Sequence, residues 1–76
     1  MNELWRWRNF IGLRQADVER ATGISLWKIR RHELYGAGLT GRELEVLVTF
    51  YQERLREIAL EGVRNGSAHS LVEFRS

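Results

Sequence analysis

Residues 15–36 read QADVERATGISLWKIRRHELYG, and this stretch decides the fold. Gln15 to Ala21 carries a short helical pattern, with Val18 and Ala21 as its inward residues. Thr22-Gly23-Ile24 interrupts it. Gly23 supplies the positive φ of a sharp turn, and Ile24 is the turn's apolar plug. Ser25 then suits the N-cap of a second helix, Leu26 to about Leu34. Ile29 is the inward anchor of that helix, and His32 or Glu33 continues its side one turn later. Leu26, Trp27, Lys28, Arg30 and Arg31 are left at least partly outward. Two short helices joined by a tight, Gly-containing turn predict a helix-turn-helix.

Upstream, residues 3–12 (ELWRWRNFIG) predict a first helix with Asn2 as N-cap, Glu3 in its first turn and Gly12 just past its end. Leu4, Trp7 and Ile11, with Phe10 beside them, form its inward stripe. Trp5 points away from that stripe, as a lid over a neighbouring helix or as a partner contact. Leu13 covers the junction, and the small Ala16 and Ala21 allow a close helix crossing.

Downstream, Tyr35-Gly36-Ala37-Gly38 marks a loop. Thr40-Gly41-Arg42-Glu43 matches a capping box that opens a long helix to about Glu61. Its apolar positions Leu44, Val48, Tyr51, Leu55 and Ile58 recur at intervals of four and three, and Leu47, Phe50 and Val46 lie beside them. Near 20 residues, or about 30 Å, this helix outruns the domain it belongs to. Its second half points to a partner helix in a homodimer, with Tyr51, Leu55 and Ile58 as contacts. The other possibility is that the N-terminal helix covers it. Gly62 and Asn65-Gly66-Ser67 end the pattern. Residues 70–75 alternate well enough to be a short strand, or are a frayed, disordered tail. The predicted architecture is all-α: a compact bundle of four to five helices with a helix-turn-helix and a long C-terminal helix. Residues 1–61 form the domain and 62–76 the tail.

Composition narrows the function classes. The chain has 76 residues, 43% of them hydrophobic, with no Pro and no Cys. That length supports one modest core, and the missing Cys exclude a disulfide framework or a Cys-based metal site. No apolar run approaches a membrane span, and the first ten residues lack a signal-peptide apolar region. A cytoplasmic protein without membrane contact is expected. Net charge is only +2, but eleven of the twelve basic residues are Arg, a side chain suited to bidentate contacts with phosphate and guanine. Arg14, Arg20, Lys28, Arg30 and Arg31 lie in or beside the helix-turn-helix, whereas six of the ten acids follow residue 40. Separate duties for the two halves follow from that split. An enzyme is not expected. His32 and His69 lie on different elements, Asp17 and Glu19 read as surface acids, and no phosphate loop, metal spacing or nucleophile arrangement is present. No cofactor is implied.

The residues in step are Leu4, Trp7-Arg8, Gly12-Leu13, Gln15, Val18, Gly23-Ile24-Ser25, Ile29 and Glu33, followed by Thr40 and Leu44. On these the chain resembles the Cro/Xre, or phage-repressor, class of helix-turn-helix proteins over about residues 3–55. The resemblance implies that Gln15 sits against a DNA phosphate and that Arg8 and Glu33 form a structural ion pair. It implies that helix three lies in the major groove, with Lys28, Arg30 and Arg31 at bases or phosphates, and that the chain acts as a dimer. The chain also departs from the class pattern. Arg14 replaces the usual Ser or Thr before Gln15, which removes a cap and adds a phosphate-seeking cation. Leu26 and Trp27 stand where polar residues are usual, and Tyr35 stands where Gly is commoner.

Two functions are therefore expected. The first is a transcriptional regulator, of repressor type, binding operator DNA through residues 25–34 with Arg14, Gln15, Ser25, Trp27, Lys28, Arg30 and Arg31. The alternative is a protein-binding regulator on the same scaffold, like the antiactivators of mobile elements. Leu26 and Trp27 would then contact another regulatory protein, together with Trp5 and Phe50.

Overall fold

Each helix boundary has a local chemical cause. The computed structural model describes residues 2–65 as four helices: α1 (Glu3–Ile11), α2 (Gln15–Thr22), α3 (Leu26–Tyr35) and α4 (Gly41–Asn65). Asn2 caps α1 by accepting from the Trp5 backbone N–H at 3.1 Å, and its amide donates to the His32 carbonyl at 2.8 Å. One side chain thus starts α1 and ties it to α3. Gly12 closes α1 and Gly23 closes α2, both in the left-handed region that an L side chain enters only at a cost. Ser25 accepts from the Trp27 N–H, and Thr40 and Glu43 exchange both bonds of a capping box.

The helices bury one core. Leu4 of α1, Val18 of α2, Ile24 of the turn, Ile29 of α3, and Leu47 and Tyr51 of α4 meet there. Trp7, Ile11, Leu13, Leu39, Val48 and Phe50 close around them. The Trp7 ring stands edge-on to Tyr51 with centroids 6.5 Å apart, a favourable aromatic geometry. α1 packs along α4, and α2 packs on both α3 and α4.

Several expectations need correction. Tyr51, expected as a partner contact, has 0% exposure and belongs to the chain's own core, because α1 brings Trp7 onto it. Phe10, expected inward, is 74% exposed, because Trp7 and Ile11 already fill the α1–α4 contact. Ala21 is exposed, so Val18 alone anchors α2. On α4 the most deeply buried residue besides Tyr51 is Leu47 rather than Leu44, which is partly exposed. The helix also runs through Gly62 to Asn65, since a single Gly weakens a helix by only about 1 kcal/mol. The expectation of a strand or frayed end at 70–75 lies outside the described residues. No helix among those described is long and apolar enough to cross a membrane.

Candidate nucleic-acid interface

The turn between α2 and α3 is built from backbone and short side chains. Thr22 Oγ1 donates to the Val18 carbonyl and accepts from the Ile24 N–H, so it staples both sides of Gly23. Ile24 drops into the core. Glu19, expected as a surface acid, accepts from the Leu26 N–H at 3.1 Å. It therefore satisfies one of the free donors at the start of α3 from across the turn. The sequence signal was an acid one turn before the breaking Gly.

Arg8 and Glu33 form the expected ion pair. Arg8 Nε and Nη2 donate to the two carboxylate oxygens at 2.7 and 2.8 Å, and Nη1 donates to the Leu13 carbonyl at 2.8 Å. Glu33 is 4% exposed. Its hydrogen bond to Arg8 raises the guanidinium pKa above its ordinary value, so the Arg stays charged. Gln15 completes the cluster. Its Nε2 donates to Glu33 Oε1 at 2.9 Å, and its Oε1 faces Arg30 Nε at 3.4 Å. A polar chain thus runs from α1 through the end of α3 and the start of α2 to the outer face of α3. Trp5 and Leu34 wall the recess of about 180 Å³ that Arg8, Gln15, Arg30 and Glu33 line. Half-buried there, Trp5 acts as a lid.

The outer face of α3 carries Trp27, Lys28, Arg30 and Arg31, all exposed. The Arg30 guanidinium lies 5.0 Å from the Trp27 ring centroid, within cation–π range. Between Trp27 and Gln15 it is held in place while it still faces solvent. Arg31 lays its aliphatic stem near Gly38, where a Cβ would come within 3.1 Å of it. Leu26 is half-buried, and Trp27 is 70% exposed.

Four of the expected DNA contacts have other partners here. The Arg14 guanidinium is paired with Asp17 at 3.1 Å. Asp17 also accepts from the Arg14 backbone N–H and from Arg20. These bonds, those of Arg14 first, hold the Asp17 carboxyl well below the usual carboxylate range. Lys28 donates to Glu43 at 2.8 Å and, with the Thr40 backbone, lowers the Glu43 pKa. Gln15 is engaged with Glu33 and Arg30, as above. Ser25 uses its oxygen as the α3 cap. The described face therefore concentrates on Arg30, Arg31 and Trp27. No cluster of three metal-ligating side chains occurs among the described residues. The chain matches no family model, no curated protein and no solved structure.

Proposed function

We propose that this chain is a small Cro/Xre-like regulator that binds duplex DNA through the outer face of α3, works as a homodimer and carries out no catalysis. The observation that carries the reading is the mounting of Arg30. Its guanidinium is exposed, stacked on Trp27 and steadied by Gln15, which is itself fixed by the buried Arg8–Glu33 pair. An Arg held this way has little side-chain freedom left to lose, and its planar fork suits the O6 and N7 of guanine. Arg31, Arg14 and Lys28 flank it as phosphate contacts. For Arg14 and Lys28 this means exchanging a solvent-exposed carboxylate for a phosphate, which costs little because exposed ion pairs are weak.

Titration of duplex fragments from the chain's own promoter region at two salt concentrations tests the reading. Three phosphate contacts per chain, six for the homodimer, imply roughly a 2,000-fold loss of affinity between about 50 and 200 mM salt, against roughly 40-fold for a single chain. Arg30→Ala should cost about 1–3 kcal/mol at one base position and leave the fold intact. Equal, weak binding at every sequence would refute the proposal.

A second reading draws on Trp27, Leu34 and Tyr35, three large apolar side chains exposed on α3. An exposed Trp beside an Arg has the composition of a protein-binding hot spot. Under that reading Trp27→Ala abolishes capture of a regulatory protein while DNA titrations remain flat.

A further inference from the structure

We propose that the distal part of α4 pairs antiparallel with the same segment of a second copy of this chain, Leu55 against the partner's Ile58 and Arg54 against the partner's Glu61. This gives a contact mode to the homodimer named above and does not depend on DNA binding.

Among the described residues the core ends at Tyr51, and α4 continues to Asn65. Past Tyr51 the same face presents Leu55, Ile58 and Gly62 at intervals of four and three, the spacing of a coiled-coil seam. Leu55 is half-buried and Ile58 is 41% exposed. One flank of the seam carries Arg54 and Glu61, seven residues apart and opposite in charge, and the other carries Gln52 and Ala59. Among the described residues Arg54 has only a long 3.4 Å contact to Glu57, which leaves it room for a stronger partner.

The charge order selects both the occupant and the direction. In a parallel pair Leu55 meets its own copy, Gly62 leaves an empty layer against the partner's Gly62, and Arg54 comes beside the partner's Ala59. No flanking ion pair forms. In an antiparallel pair centred between residues 55 and 58, each Leu55 meets the partner's Ile58. The small Gly62 then falls at the level of the bulky Tyr51 end of the partner's seam. Arg54 and the partner's Glu61 face each other twice, once on each side of the two-fold axis. Flanking charges of this kind set orientation in helix pairs. The seam has only two large apolar layers, so the dimer is weak. The two Leu47 levels lie roughly 28 Å apart along the paired helices at 1.5 Å per residue.

The test is a charge swap read by sedimentation equilibrium without DNA, with helix content checked by circular dichroism. Wild-type chain should self-associate. Arg54→Glu and Glu61→Arg should each weaken association about tenfold or more, because two symmetry-related pairs become like-charged. The double variant should recover it. So should an equimolar mixture of the two single variants, in which each chain supplies the charge the other lacks. A wild type that stays monomeric overturns the pairing and leaves the far face of α4 to another protein. Single variants that associate like wild type overturn the ion pair. Failure of both the double variant and the mixture to recover overturns the antiparallel register. Each of these outcomes is independent of whether the same chain binds DNA.

Discussion

Replacing Arg8 with Met should remove a large part of the stability of the domain. Glu33 is 4% exposed and takes three donors: Arg8 Nε at 2.7 Å, Arg8 Nη2 at 2.8 Å and Gln15 Nε2 at 2.9 Å. With Arg8 gone, a buried carboxylate keeps only the Gln15 amide, and the Leu13 carbonyl loses its guanidinium donor as well. Stranding one member of a buried ion pair costs about 3–5 kcal/mol. At roughly 0.05–0.15 kcal/mol per residue, a domain of this size holds about 4–11 kcal/mol in total. At about 4–8 °C per kcal/mol, the melting temperature should fall by about 15 °C or more.

Urea and thermal unfolding followed by circular dichroism measure this directly, and the Trp emission gives a second probe. The informative control is the double variant Arg8→Met with Glu33→Leu. An apolar pair of similar volume removes the desolvation cost along with the attraction, so the double variant should lie close to wild type. It should exceed the single variant by several kcal/mol. If Arg8→Met costs less than about 1 kcal/mol, or if the double variant is no better than the single, the pair is not the strut that joins α1 to α3. Gln15 would then lack a fixed anchor from which to steady Arg30.

Two further outcomes can be checked on the same instruments. The Tyr51 hydroxyl is buried with no hydrogen-bond partner among the described residues, and burial, with the Glu33 charge adding to it, pushes its pKa up to about 12. Tyr51→Phe should therefore be neutral or stabilise by about 1 kcal/mol; a loss of that size would reveal a partner for the hydroxyl. The Asp17 and Glu43 carboxyls both lie below their ordinary values of 3.8 and 4.5, through Arg14 and Lys28 respectively. A carboxyl depressed in the folded state stabilises above its unfolded value and loses that contribution as pH falls, so stability should decline below about pH 4.5. Asp17→Asn should flatten that decline, and an unchanged acid titration would refute the assignment.

What could be read from the sequence and what could not divides by distance along the chain. Asn2, Gly12, Gly23, Ser25 and the Thr40–Glu43 box act within one helical turn, so residue identity and spacing suffice to place them. The Arg8–Glu33 pair spans 25 residues and was reached through resemblance, because no local rule pairs them. Gln15 and Lys28 are placed at DNA by the resemblance, and Arg14 as a cation that departs from it. Glu33 and Glu43, the partners of Gln15 and Lys28, become apparent only when the helices are packed, whereas Asp17 lies within one turn of Arg14 on α2 and was within local reach. α4 follows the same logic. Leu44, Val48 and Tyr51 form a valid stripe, but successive helix residues are about 100° apart. Which edge of that stripe is buried depends on where α1 and α2 lie, and they turn it toward Leu47. Tyr51 then passes from the expected dimer surface to the core. Leu55 and Ile58 lie past the described core, which stops one turn before they begin, so the described packing gives them no other role. A helix face that the described residues leave uncovered, and whose flanking charges complement themselves only when reversed, has the physical requirements of a self-pairing seam.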